Sequence, residues 1–112
     1  MSAAARHLFD LLQRKVLEID DDIIELDEQK SVSYHGPIFF LEILPRKDHI
    51  ILLLALDFNE VDTPSGIAKD ASMWKFFVNA VYEGGVYIPI SGNADIDKAL
   101  PMIRQARELA RA

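Results

Sequence analysis

Seven consecutive apolar residues, Ile50-Ile51-Leu52-Leu53-Leu54-Ala55-Leu56, stand between the polar run Arg46-Lys47-Asp48-His49 and Asp57. A membrane helix requires roughly 18 apolar residues, so the run is too short to span a bilayer. Read as a strand, it turns alternate side chains to opposite faces. Ile50, Leu52, Leu54 and Leu56 then share one side, and Ile51, Leu53 and Ala55 the other. A strand apolar on both sides is either the centre of a sheet covered on both faces or has one face in an oligomer interface. Pro45-Arg46-Lys47-Asp48 reads as a turn with proline setting φ, so residues 38–44 and 50–58 form a hairpin around it.

The rest of the chain supplies material to cover such a hairpin. Leu8, Leu12, Val16 and Ile19 recur at helical spacing with charged residues between them, which predicts an amphipathic helix over about residues 3–19. Asp20-Asp21-Asp22 ends it, because acidic side chains at a helix C-terminus oppose the macrodipole. Residues 23–26 and 32–34 read as short strands joined by Asp27-Glu28-Gln29-Lys30, and Gly36-Pro37 as a turn. Thr63 and Pro64 fit the cap and first turn of a short helix over residues 67–72. Residues 73–82 fit a helical stripe and a strand face alike. Val86-Tyr87-Ile88-Pro89-Ile90 alternates as a strand whose proline points to an edge. Asn93 then caps a last helix carrying Asp95 and Asp97 early and Arg104, Arg107 and Arg111 late, charges that suit the dipole. Ile96, Leu100, Ile103 and Ala110 make its apolar stripe, and Pro101 should kink or delay it. The expectation is a single α+β domain over residues 1–112. Its antiparallel sheet has four to five strands, flanked by an N-terminal and a C-terminal helix, with a short helix before the last strand.

Charge and composition narrow the function. Twelve Lys plus Arg against eighteen Asp plus Glu give a formal charge of -6, which disfavours nucleic acid as a partner except through a local patch. The absence of cysteine removes thiolate nucleophiles, disulfides and the common zinc motifs. His7, His35 and His49 lack ligand spacing, so neither metal nor cofactor is expected. Residues 20–22 lack the alternation and glycine of a calcium loop and read as a solvated connection. No nucleophile elbow or glycine-rich phosphate loop is present, so no catalytic residue is named. With no signal-peptide core and no membrane span, the expected location is the cytoplasm.

What remains is a polar and aromatic set: Lys30, Tyr34, Arg46, Lys47, His49 and Trp74. Cations beside aromatic rings can grip an anionic small ligand or a protein partner. The same residues also read as a rim around the core and a solvated hairpin tip, and Tyr87 belongs with them on either reading. A homodimer through apolar sheet or helix surface is the expected assembly.

In order along nearly the whole chain stand Leu8-Phe9, Lys30-Ser31-Val32-Ser33-Tyr34, Phe39-Phe40-Leu41-Glu42-Ile43 with Pro45-Arg46-Lys47, residues 62–72 beginning Asp62-Thr63-Pro64, and Ile103-Arg104-Gln105-Ala106. This ordered set resembles the bacterial family called domain of unknown function 5655. The resemblance implies a small fold of helix, antiparallel sheet and helix, and no established reaction. Similar members also stand beside nuclease-like regions, which implies an accessory role near nucleic-acid processing. After Asp70-Ala71-Ser72, where a His-Trp-Gly-like stretch is usual, this chain has Met73-Trp74-Lys75-Phe76-Phe77. The leading expectation is a non-enzymatic binding or interaction domain that self-associates. The alternative is an accessory module of a nucleic-acid-processing system.

Overall fold

The computed structural model describes residues 2–28, 30–57, 67–70 and 85–110. Its first element, α1 (Ala3–Leu17), starts where the Ser2 hydroxyl accepts the Ala5 N–H at 3.1 Å, satisfying one of the free amides of the first turn. Ala5, Leu8, Phe9, Leu12 and Val16 lie on its buried face, and Arg14 and Lys15 in the last turn suit the dipole.

Strands β1 (Ile24–Glu28), β2 (Ser31–His35), β3 (Phe39–Pro45) and β4 (Ile50–Leu54) form an antiparallel meander. With β5 (Lys69–Asp70) and β6 (Val86–Ile90) they make one sheet in the order β1-β2-β3-β4-β6-β5, antiparallel throughout. Helix α2 (Asn93–Ala110) closes the described chain. The result is the expected α+β arrangement of helix, antiparallel sheet and helix.

Register explains the core. Leu41 pairs with Leu54, Ile43 with Leu52, and Leu52 in turn with Ile88, so one face of three strands is uniformly aliphatic. Both helices lay their apolar stripes on this face, joining Leu12, Val16, Ile96, Ala99 and Ile103 to Ile43, Leu52 and Ile88 in one cluster. The opposite face of the centre holds a smaller buried cluster of Leu44, Ile51 and Leu53 with Tyr87 against it. Every residue of β4 is buried. Residues 50–54 of the apolar run are therefore a central strand buried on both of its faces.

Several boundaries differ from the sequence expectation. The strand beginning at Ile50 stops at Leu54, and the Ala55 N–H turns to the Phe40 carbonyl at 3.1 Å. Asp27 and Glu28 belong to β1, because pairing with Val32 and Ser31 satisfies their backbone groups better than a turn does. Lys69 and Asp70, expected in a short helix, instead pair with Tyr87 and Val86, the exposed side of β6 offering them a ladder. The remainder of that helix and residues 73–82 lie outside the described residues. Pro89 sits beyond the reach of this two-residue strand, where a missing donor costs no ladder bond on the β5 side. Asn93 is the first helical residue of α2 rather than its cap, and the Asp95 carboxylate reaches back to the Ser91 N–H at 2.9 Å. Pro101 lies inside an unbroken α2 on its exposed side, where water can satisfy the carbonyl left free one turn back.

Candidate functional site

The sequence-singled residues do not assemble into one site. Lys30 is exposed in the turn between β1 and β2. Because Val32 pairs with Ile43 and Pro45 with Ile50, this turn and residues 46–49 lie at the same end of the sheet. There Lys47 is exposed, with its carbonyl taking the Ser2 N–H at 2.7 Å. His49 is half-buried, and its carbonyl accepts the Arg46 N–H at 2.9 Å to close the turn. Arg46 is also half-buried and folds one guanidinium N–H back onto the Pro45 carbonyl at 3.2 Å. Tyr34 stands apart, fully buried on the helix-covered face. Its hydroxyl donates to the Glu25 carboxylate at 2.8 Å, and burial together with that carboxylate pushes its pKa well up, so it remains a donor at any ordinary pH. Trp74 lies outside the described residues.

Two polar constellations emerge that the sequence reading passed over. The first centres on Arg107, placed there among charges that merely suit the helix dipole, and in fact 1% exposed. Its guanidinium donates to the Gly36 carbonyl, to Asp20 at 3.0 Å and to Asp22 at 2.7 Å. Residues 20–22 are therefore no simple solvated connection, since two of the three carboxylates are spent on a buried cation. A hydrogen bond with the Asp20 side chain holds the Asp22 carboxyl below its usual value, against a desolvation that opposes it and with the attraction of Arg107 added. Gly36 leaves room for this approach, since a Cβ there would stand 3.0 Å from the guanidinium carbon and Nε and the arginine would have to give way. This clasp ties α2 to the α1–β1 link and to the turn before β3.

The second lies on the sheet face opposite the helices, where Glu28, Ser31, Ser33, His35 and Glu42 come from three adjacent strands. Ser33 is buried, with its hydroxyl 3.3 Å from Glu28 Oε1 and 3.2 Å from His35 Nε2. A hydroxyl has one proton, so it donates to one of these at a time. The residue types suggest acyl transfer, but the geometry lacks its parts. Ser33 is 3% exposed, too enclosed for a substrate carbonyl. Among the described residues no carboxylate orients the other His35 nitrogen, and β2 is paired on both sides, which commits its backbone N–H groups to the ladders instead of an oxyanion hole. The period-two spacing of Ser31, Ser33 and His35 was legible in the sequence, but their juxtaposition with Glu28 and Glu42 is a product of strand register. Burial raises the Glu42 carboxyl above its ordinary value, the Glu28 carboxylate adds to this, and a hydrogen bond with Ser31 opposes it.

Beside this polar patch runs the sheet's edge. All five residues of β1 are exposed, and among the described residues its backbone pairs with β2 alone. Ile24 and Leu26 are 56% and 45% exposed, on the same sheet face as Ser33 and His35. Glu25 and Asp27 project to the helix side. A shallow cavity of about 190 Å³ lies between α1 and α2, lined by Lys15, Glu18, Ile19, Leu100 and Arg104. Among the described residues no group of three acidic or histidine side chains can hold a metal ion, and no helix is long and apolar enough to cross a membrane. No protein-family model matches the chain, and no curated protein or solved structure matches it either.

Proposed function

We propose that this chain is a non-enzymatic interaction domain that captures an extended segment of another polypeptide by strand addition to β1. The single observation behind this reading is an edge strand exposed along its whole length, carrying two large apolar side chains and, among the described residues, a backbone paired on one side alone. Protein edges are ordinarily blunted by charged side chains, a proline, a bulge or a covering loop. The Ile-Glu-Leu-Asp-Glu sequence of β1 contains no proline or lysine, and its charges, Glu25, Asp27 and Glu28, are of one sign, which repels acidic chains and admits basic ones. Main-chain bonds at such an edge give affinity, and alternate side chains give selectivity. Self-association through β4 finds no support, because both faces of that strand are occupied within one chain.

Peptide selection from a random display library against the purified chain tests the reading. Selected peptides should slow amide exchange across residues 24–28, and selection should collapse on Leu26→Pro, which leaves the helices and β4 untouched. Ligands that map elsewhere, or that bind a folded Leu26→Pro variant equally well, overturn it.

A further inference from the structure

We propose that the segment taken up by β1 is cationic and alternating, with Lys or Arg at every second residue and apolar residues between them. The inference rests on strand addition at β1 and adds the chemistry of the partner. A strand added to a sheet alternates in the same sense as its neighbour, so the residues opposite Glu25 and Asp27 share one side and those opposite Ile24 and Leu26 share the other. The first pair then meets carboxylates and the second meets aliphatic side chains. Both carboxylates have capacity to spare. The Tyr34 hydroxyl and the Gln13 amide both bind Glu25 through Oε2, each at 2.8 Å, which leaves Oε1 without a hydrogen bond among the described residues. Asp27 is exposed and has no ion-pair partner among the described residues.

On the apolar side the row ends at Glu28, which neighbours Glu42 across Ser31 and Ser33. Glu42 is half-buried, and burial first and the Glu28 carboxylate second raise its carboxyl, so a further anion is disfavoured at this end of the row.

A second copy of the chain is the wrong occupant. Antiparallel self-pairing about Leu26 keeps the two sheet faces aligned but sets Glu25 against Asp27 twice. Sliding the register by one residue in each copy sets Glu25 against Glu25 or Asp27 against Asp27. Like charges directly opposite one another are destabilising, and two chains of charge -6 repel before they meet.

The probe is a short synthetic peptide of alternating valine and lysine, titrated into the isotope-labelled full chain while amide resonances are followed. Three further peptides accompany it: one alternating valine and threonine, one of the same composition with all valines before all lysines, and one N-methylated at alternate residues. The valine–lysine peptide should shift and protect the amides of residues 24–28, and the blocked-order and N-methylated peptides should not. Asp27→Lys, at an exposed position, should weaken binding by up to about tenfold while the melting curve stays in place. Equal affinity of the threonine and lysine peptides at β1 overturns the cationic preference and leaves strand addition standing. No peptide at β1 overturns both. Equal binding of the blocked-order peptide reduces the effect to non-specific attraction and overturns the proposal, as does a dimer whose contact maps to residues 24–28.

Discussion

A single side chain, Arg107, shows how far the sign of a residue can mislead about its place. Lysine and arginine are rarely enclosed, so an arginine near a helix C-terminus is ordinarily read as solvated. Here the guanidinium is enclosed by Asp20, Asp22 and the Gly36 carbonyl, and its Nε has no hydrogen-bond partner among the described residues. Arg107→Met should destabilise by about 3 kcal/mol in denaturant melts, the lower end for a broken buried pair, because Asp22 can return to water. The acid limb changes with it. Asp22 has its folded pKa lowered from an ordinary 3.8, so its contribution is present above that value and is lost as pH falls through the lower folded one. Stability of the wild type should therefore decline below about pH 4. Part of that slope should disappear in Arg107→Met, the part supplied by the cation, while the Asp20 hydrogen bond keeps the rest, and an unchanged acid limb would place the dependence elsewhere.

The elements were legible where pattern and pairing agree. Period 3.6 located α1, and the uninterrupted aliphatic run located β4. At residues 69 and 70 local signals lost, because a start signal at Thr63 and Pro64 says nothing about an open edge on β6 that can take up a passing segment. In α2 the proline rule was outweighed by tertiary burial. Ile96, Ala99, Met102, Ile103 and Ala106 anchor both sides of Pro101 to the sheet, so the helix continues through it. The residual cost remains in the molecule. Pro101→Ala restores a backbone donor and relieves the ring against the carbonyl of Asp97, and it should stabilise by about 1–3 kcal/mol in thermal melts. A neutral or destabilising result would mean that the ring itself packs usefully.

For the whole molecule, charge and shape act together. The two hairpin turns bring Lys30 and Lys47 to one end of the sheet, but Arg46 is folded back on its own turn and the chain as a whole carries -6. Two exposed cations on an acidic body make a weak phosphate site, so duplex DNA should show no mobility shift near about 0.15 M salt. A salt-sensitive complex abolished by Lys30→Glu with Lys47→Glu would favour the nucleic-acid role over the polypeptide one.

The amino-acid pattern by itself determined that this chain makes an α+β domain with a strand at Ile50–Leu54 apolar on both sides; that both sides are buried within one chain, and not against a second copy, was decided by the tertiary structure. The pattern also determined the amphipathic faces of both helices: burial follows periodicity, and periodicity is local. Only the tertiary structure decided which charges are buried, which strand is left at the edge and which polar groups become neighbours. Those outcomes depend on register and packing between segments as far apart as Asp20 and Arg107, and no local pattern records them. The acidic, half-apolar sequence of β1 reads as an unremarkable connector until the sheet order leaves it outermost. Position in the sheet, more than composition, makes it the candidate docking edge.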